Sequence, residues 1–267
     1  YESDKNDIII QQKEKTLNLT ESWDGTVNGF IWGEEGDKIY FTAAYHGTVQ
    51  LFEVSIPISG AGIAPVKKIT EGQFDISGIV GQAKNTLILK RRDMNHATEL
   101  YTLDLKTGKM KQLTHANDAF YSSIKLSKIE KRMIKTTKGE NMLTWIIYPP
   151  DFDSTLVYPT LLYCQGGPQG ALSQFYSYRW NFQLMAANGY IVVAPNRHGM
   201  PGFGVDWNEQ ISKDYGGQNM QDYLSAIDAL SKEPYVDKQR IGCIGASYGG
   251  YSAFYLAAIH EKRFKTF

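Results

Sequence analysis

The chain has 267 residues, 42% of them hydrophobic and 21% charged, so it is long enough to bury one large core or two ordinary ones. Its 28 Lys and Arg residues balance 28 Asp and Glu residues, and the formal net charge is zero. Nucleic-acid-binding proteins usually carry a basic excess or stripe, so this balance argues against nucleic acid as a partner. No run approaches ~18 consecutive apolar residues, so we expect no membrane-spanning helix.

Residues 1–120 carry short runs rich in Ile, Val, Phe, Tyr and Thr that alternate with turn residues, which is the pattern of β-strands. The runs recur in cycles that close on Thr20, Thr70 and Thr114, which are 50 and 44 residues apart. A four-strand unit repeated every ~40–50 residues is typical of a β-propeller blade. About two blades are present where propellers have about four or more, so we expect the chain to start inside a propeller. A β-sandwich of about seven strands is the alternative.

From residue 121 onward, strand-like runs alternate with helical patterns, which predicts a mostly parallel α/β sheet. The runs 160–164 and 190–194 are almost continuously apolar, as in strands that are buried on both faces. The only two cysteines, Cys164 and Cys243, fall in such apolar runs. We therefore expect two buried thiols rather than a disulfide or a redox pair.

The stretch Gly245-Ala246-Ser247-Tyr248-Gly249 fits the G-x-S-x-G pattern of a nucleophile elbow. It lies between an apolar strand pattern and a helical pattern, which is the context that such an elbow requires. The serine hydroxyl then projects above the sheet, and glycines two residues to either side avoid collisions with neighbouring elements. Ser247 is therefore the predicted nucleophile. The alternative is a nucleotide-binding turn, but the glycine spacing does not fit G-x-G-x-x-G.

An acyl-transfer site also needs donors for the developing oxyanion. The N–H of Tyr248 begins the predicted helix and would point toward that oxygen. A second donor is expected from the loop 165–170, either the Gly166 N–H or the side-chain amide of Gln165. A tight turn without a ligand is the alternative interpretation of this loop.

A serine nucleophile needs a base, and in this fold the acid and the histidine follow the serine. The 20 residues after Ser247 contain no Asp and one histidine, His260, which would lie ~20 Å along the same helix. His198 could line the cleft but precedes the serine. Three histidines fall in the β-region and are expected to be ordinary surface or edge residues: His46, His96 and His115. The scattered histidines and the lack of a cysteine cluster predict no metal site, and no motif predicts a cofactor.

The stretch 242–251 resembles the prolyl-oligopeptidase family of serine peptidases, and most of all its acylaminoacyl-peptidase and bacterial dipeptidyl-peptidase V branch. The segments 165–168, 196–199, 202–204 and 236–242 share the resemblance, which covers essentially the whole chain. The family joins a β-propeller to a C-terminal α/β-hydrolase domain. The resemblance thus implies the C-terminal part of a propeller in 1–120, followed in 121–267 by an α/β-hydrolase domain truncated after its nucleophile helix.

The activity that the resemblance implies is that of a serine exopeptidase. It would release dipeptides from the N-terminus of oligopeptides, after a small or hydrophobic residue, through an acyl-enzyme at Ser247. An acylaminoacyl-peptidase or an esterase with the same machinery is the alternative within the enzyme class. A non-catalytic propeller that binds a partner is the alternative outside it.

Two features of the resemblance limit what residues 1–267 can do alone. Many relatives carry His or Tyr where this chain has Gln165, which leaves the second oxyanion donor open. The family's Asp and His would lie beyond Phe267, so we expect residues 1–267 by themselves to be inactive. A periplasmic or secreted location is implied, with the cytoplasm as the alternative. The implied partner is a peptide substrate, and a homo-oligomer is compatible with the resemblance.

Overall fold

The computed structural model describes residues 4–12, 14–57, 62 and 65–267. Within the predicted β-region 1–120, residues 1–3, 13, 58–61, 63 and 64 therefore lie outside the described residues. Its strands and one short helix are β1 Ile9–Gln12, β2 Lys15–Asn18, β3 Val27–Trp32, β4 Lys38–Tyr45, β5 Thr48–Ser55, β6 Lys67–Lys68, β7 Asp75–Ala83, β8 Thr86–Asp93, β9 His96–Asp104, β10 Met110–Gln112 and α1 Asp118–Ser122.

These strands form a repeating antiparallel arrangement. β1 and β2 make a hairpin, and the other strands form one sheet in the order β10-β9-β8-β7-β5-β4-β3, with β6 paired to β5. The sheet consists of two meanders of four strands, β3 to β6 and β7 to β10. The two meanders are joined by a parallel bridge between Val49 of β5 and Asp75 of β7.

The threonines that close each predicted cycle make equivalent contacts. Each hydroxyl accepts a hydrogen bond, 2.9–3.0 Å long, from a backbone N–H earlier in the chain: from Ile8 to Thr20, from Leu51 to Thr70, and from Leu100 to Thr114. Each hydroxyl also donates to a side-chain oxygen of the residue before that N–H: Asp7, Gln50 and Glu99. The sequence repeat is therefore a structural repeat, with β1 and β2 equivalent to the last two strands of each meander.

The second part of the chain is a mixed sheet between helices. Its elements are β11 Ile129–Lys135, β12 Asn141–Ile147, β13 Tyr158–Cys164, α2 Phe182–Ala187, β14 Ile191–Pro195, α3 Val205–Glu209, α4 Gln218–Leu230, β15 Val236–Gly245 and α5 Tyr248–Ile259. The strand order is β11-β12-β14-β13-β15, in which β14, β13 and β15 are parallel and β11 and β12 antiparallel.

Both faces of this sheet are buried. In β14, Ile191 and Val193 enter the core that α4 and α5 cover, whereas Val192 and Ala194 enter the core on the side of α2. All four side chains are completely buried, which agrees with the continuous apolar run in the sequence. The parallel strands end at one edge, where the loops after β13, β14 and β15 meet.

Several boundaries differ from the sequence-based expectations. The run of β-branched residues over 66–70 predicts a strand, but β6 spans only two residues, although the Ile69 N–H still bonds to the Leu51 carbonyl at 2.8 Å. The aromatic residues at 264 and 267 flank what the sequence predicts as the start of another strand, but the structure has only an isolated bridge there, between Thr266 and Gly242. The short helices α1 and α3 were not predicted, because five residues are too few for a helical period to show in a sequence.

Turns of the β-region dock onto loops of the α/β part. The Asp24 carboxylate accepts from the Val205 N–H at 2.8 Å, and the His46 N–H donates to the Gly202 carbonyl at 2.9 Å. A third contact joins the Asp75 carboxylate to the segment after β13. In the part of the chain that the structure describes, no helix is both long and apolar enough to cross a bilayer.

Candidate active site

The predicted nucleophile lies on a sharp turn from β15 into α5. Ser247 has φ 58° and ψ −126°, a left-handed conformation that a residue with a Cβ rarely adopts. The turn is held because the Ala246 carbonyl accepts from the Gly249 N–H at 2.9 Å and the Ser247 carbonyl accepts from the Tyr251 N–H at 3.0 Å. Ser247 itself is exposed. The strained backbone thus presents a hydroxyl to solvent at the edge where the parallel strands end.

Contacts across the sheet explain the two elbow glycines. A Cβ on Gly249 would lie 2.1 Å from the Cys164 carbonyl oxygen, and a Cβ on Gly245 would lie 2.3 Å from the Gly249 oxygen. Real Cβ atoms never approach backbone atoms so closely, and backbone cannot move aside as a flexible side chain can. Both positions therefore require glycine for α5 to pack against the end of β13.

The two expected sources of oxyanion donors lie at the elbow. Tyr248 is the first residue of α5, so its N–H has no partner within the helix. Gly166 packs against the turn, because a Cβ there would lie 2.9 Å from the Ala246 oxygen and 3.6 Å from the Ser247 Cβ. The Gln165 Oε1 atom is buried and makes no hydrogen bond to any described residue. The loop after β13 and the start of α5 therefore form one backbone surface beside Ser247.

The loop after β14 places an arginine beneath this surface. Arg197 is 0% exposed; its Nη1 donates to the Pro168 carbonyl at 3.0 Å and its Nε donates to the Tyr223 hydroxyl at 3.0 Å. Its Cζ lies 4.7 Å from the centroid of the Tyr248 ring. Arg197 therefore connects the loop 165–170 to the residue that follows the predicted nucleophile.

His198, which the sequence left as a possible lining of the cleft, is 1% exposed. Its Nδ1 lies 2.6 Å from the Asp222 carboxylate, which also accepts from the His198 N–H at 2.8 Å. Its ring stacks on Trp207 with centroids 3.6 Å apart. The imidazole is thus part of the support of the loop after β14 and is not free to act on Ser247 from this position.

The remaining predicted positions are located as follows. Cys164 and Cys243 are completely buried free thiols with their Sγ atoms 3.6 Å apart, and burial raises the pKa of the Cys164 thiol. His260 follows the last residue of α5, and its Nδ1 accepts from the Phe264 N–H at 3.2 Å. Among the described residues, no cluster of three His, Cys, Asp or Glu side chains could hold a metal ion.

Residues of the β-region line a separate cavity. Its volume is about 490 Å³, and its lining residues all belong to the range 91–121. The cavity contains charges of both signs, including Arg91, Asp93 and Glu99, and none of the elbow residues. It is therefore distinct from the surface beside Ser247.

The sequence interpretation missed the supports of the elbow. The Tyr248 hydroxyl donates to the Tyr215 carbonyl at 2.8 Å and accepts from the Asn219 side-chain amide. Burial raises the pKa of Tyr248 to about 12, so this hydroxyl stays neutral. A charged residue directly after an apolar parallel strand was the signal that could have drawn attention to Arg197, because ligand sites gather at the carboxyl ends of such strands.

Known proteins share both the sequence and the fold. Residues 176–267 match the model of the prolyl oligopeptidase family. The chain is 45% identical to dipeptidyl-peptidase 5 of Porphyromonas gingivalis over 100% of its own length and 38% of that protein's. It is 49% identical to the dipeptidyl-peptidase 5 of Porphyromonas endodontalis, over 86% of this chain and 32% of that one.

A solved structure extends the likeness to the fold of the whole chain. The acylaminoacyl peptidase of Pyrococcus horikoshii superimposes with a TM-score of 0.82 at 27% identity, over 96% of this chain and 39% of that one. The chain therefore spans well under half the length of the relatives it matches.

Proposed function

Because residues 176–267 belong to the prolyl oligopeptidase family, we propose that this chain carries the nucleophile of a serine exopeptidase that releases dipeptides from the N-terminus of oligopeptides. The Ser247 hydroxyl oxygen attacks the carbonyl carbon of the second peptide bond, the C–N bond breaks, and the rest of the peptide leaves as an amine that receives the serine proton. Water then hydrolyses the acyl-enzyme and releases the dipeptide. The observation that carries this proposal is the strained, exposed elbow serine, at φ 58°, next to the N–H of Tyr248 that begins α5. An inert turn has no need of this strain.

The oxyanion is held by the Tyr248 N–H together with a donor from the loop after β13. For the second donor we favour the Gly166 N–H over the Gln165 side chain, because Gly166 packs directly against Ala246 and Ser247. Gly245 and Gly249 serve the elbow by allowing α5 to approach the end of β13. Removing one such donor from a comparable site costs ~10²–10³ in turnover, which is the scale of effect that this role predicts.

The division into domains follows the two sheets. We assign residues 1–120 to the C-terminal part of a β-propeller, with each four-stranded meander as one blade and β1 and β2 as the end of another. Equivalent threonine contacts in three successive units support this assignment over a β-sandwich. Residues 121–267 are the first part of the α/β-hydrolase domain, up to the nucleophile helix.

The proposal also concerns the acid and the base that Ser247 needs. The relatives are more than twice as long as this chain, and we propose that in the whole protein the catalytic Asp and His lie beyond Phe267. Residues 1–267 alone are therefore expected to be inactive, because loss of the histidine alone costs about 10⁶ in a comparable site. A periplasmic or secreted location goes with this proposal, and fractionation of the source cells distinguishes it from the cytoplasm.

The proposal is tested by labelling the full natural protein with a fluorophosphonate and measuring its intact mass. One adduct is expected, lost in Ser247→Ala and kept in the control Ser225→Ala, which changes a serine on α4. Absence of an adduct on the wild-type protein would contradict the nucleophile and favour a binding protein.

The substrate class is tested by measuring cleavage of peptides that have either a free or a blocked N-terminus. Release of dipeptides from the free peptides supports the proposal. Cleavage of N-acylated peptides alone would assign the chain to an acylaminoacyl-peptidase, the activity named for the superimposed Pyrococcus structure.

A further inference from the structure

Arg197 is a buried cation that forms no ion pair with an acidic side chain in the described part of the chain. It is 0% exposed, and no carboxylate of a described residue lies within ion-pair distance of it. The Asp222 carboxylate, on α4, binds the neighbouring His198 instead. Buried charges in proteins are normally paired, because removal of an ion from water is costly. An unpaired buried arginine therefore calls for a reason other than stability.

The partners of Arg197 are neutral. Two are backbone carbonyls, of Pro168 at 3.0 Å and of His198 at 2.8 Å, and a third is the Tyr223 hydroxyl at 3.0 Å. The guanidinium also lies over the ring of Tyr248 at 4.7 Å. Its Nη2 is buried and has no hydrogen-bond partner among the described residues. These dipoles and rings solvate the charge but leave its positive sign uncompensated.

The position of this charge is specific. Pro168 follows Gly166 by two residues in the loop that packs on Ser247, so the bond from Nη1 fixes the loop from behind. Tyr248 provides the first N–H of α5, and the centroid of its ring lies 4.7 Å from the guanidinium carbon. The guanidinium therefore adjoins both of the backbone segments that carry the proposed oxyanion donors.

We propose that Arg197 is a positioning residue of the oxyanion hole, which fixes the loop 165–170 and adds a permanent positive potential behind it. The inference rests on the proposed function. A charge in a site shielded from water acts more strongly than in water, and it costs no reorganisation when the oxyanion forms. The effect is therefore expected on the transition state and not on binding of the ground state.

The first test compares Arg197→Gln with wild type in the full natural protein. We expect kcat to fall ~10- to 10²-fold with KM nearly unchanged, since the charge acts behind the donors and a direct donor is worth ~10²–10³. Affinity for a peptide boronic acid, which forms a tetrahedral anion on the serine, should fall by the same factor. Affinity for the product dipeptide should not change. Arg240→Met is the matched control, because Arg240 is exposed and pairs with Asp237.

A purely structural arginine gives a different result. The melting temperature of Arg197→Gln would fall while kcat and boronate affinity per folded molecule stayed at the wild-type value, and this result would overturn the proposal. Failure of the wild-type protein to react with a fluorophosphonate would instead refute the proposed function, so the two failures are distinguishable.

If Arg197→Gln does not fold, the proposal can still be tested by comparing the pH dependence of kcat in Arg197→Lys and wild type. A buried ammonium loses its proton more readily than in water, whereas guanidinium stays charged. Burial raises the pKa of the titratable neighbours Tyr223, Tyr248 and Cys164, so each of these groups loses its proton only at higher pH than it would in water. The remaining neighbours, His198 and Asp222, are common to both proteins. The kcat of R197K should therefore decline between pH ~7 and ~10 relative to wild type. Parallel profiles would contradict an electrostatic role.

Discussion

The buried carboxylate of Asp75 makes folding stability depend on pH in a direction opposite to that of most acidic residues. Asp75 is 0% exposed, and burial raises its pKa from 3.8 to about 6. Hydrogen bonds from Ser173 and from the backbone oppose this rise without cancelling it. The folded protein therefore binds this proton more tightly than the unfolded chain does.

The sign and size of the effect follow from this difference in pKa. Between pH ~4 and ~6 the folded state is protonated at Asp75 and the unfolded state is not, so stability falls as pH rises through this window. The difference between 3.8 and about 6 corresponds to ~3 kcal/mol. Asp75→Asn removes the titration. Its free energy of unfolding should therefore gain ~3 kcal/mol on that of wild type between pH 4 and pH 7.

The structure also gives the local reason for this cost. One carboxylate oxygen accepts from the Val49 N–H at 2.8 Å and from the Gln174 N–H at 3.1 Å, and the other accepts from the Ser173 hydroxyl at 2.7 Å. The charged neighbour, Arg92, has its Nε 3.8 Å away, at the limit of an ion pair. Asp75 therefore joins the two meanders to the α/β part mostly through neutral donors.

The assay is urea unfolding of wild type and Asp75→Asn at pH 4, 5, 6 and 7, followed by tryptophan fluorescence. Asp37→Asn is the control, because Asp37 is exposed and lies in the same β-region. A constant offset between Asp75→Asn and wild type at all four pH values would refute the reasoning, since a lost hydrogen bond alone has no such pH dependence. The reasoning would also be refuted if the free energy of unfolding of Asp75→Asn fell relative to that of wild type as pH rises.

Two further predictions concern the elbow and the outer strands. Gly249→Ala places a Cβ 2.1 Å from the Cys164 oxygen and should slow fluorophosphonate labelling of Ser247 at least ~10-fold, whereas Gly250→Ala, with 3.8 Å of clearance, should label normally. Equal rates would show that α5 shifts freely. Arg132→Met removes bonds to Glu130 and Glu233, each 2.7 Å, and should lower the free energy of unfolding by ~1–3 kcal/mol. The exposed pair removed by Arg240→Met should contribute at most ~1 kcal/mol, and similar losses in urea melts would contradict this contrast.

The elbow could be predicted from the sequence because its determinants are local. The elbow glycines and the serine lie in one short segment between a strand and a helix that are adjacent in the sequence. In the structure β15 ends at Gly245 and α5 begins at Tyr248. The particular atoms with which a side chain at these glycines would collide could not be predicted. The Cys164 carbonyl is brought there by the register between β13 and β15, which aligns Cys164 with Gly245.

In two strands, β3 and β7, glycines interrupt the alternation of side chains, so the sequence shows no regular strand pattern. In β7, register shifts between Ile76 and Gly78 and between Ile79 and Gly81 reset the side-chain period, so no regular pattern of apolar residues results. A similar shift occurs in β3 between Val27 and Gly29. A bulge changes which residues face the core, and the sequence alone does not mark where that change occurs.

The sequence alone could not predict how closely the loops after β13, β14 and β15 approach one another. Parallel pairing aligns Leu162 with Val193 of β14 and with Cys243 of β15, so the loops that follow the three strands leave the same edge of the sheet. Each loop then brings a different element: backbone donors after β13, a cation after β14 and a strained serine after β15. None of these is chemically sufficient alone, since a hydroxyl without donors or field is an ordinary alcohol. The proposed chemistry at this edge therefore depends on the register of the strands. The described glycines whose Cβ would lie closest to backbone atoms, Gly245 and Gly249, are accordingly found where one strand end touches another.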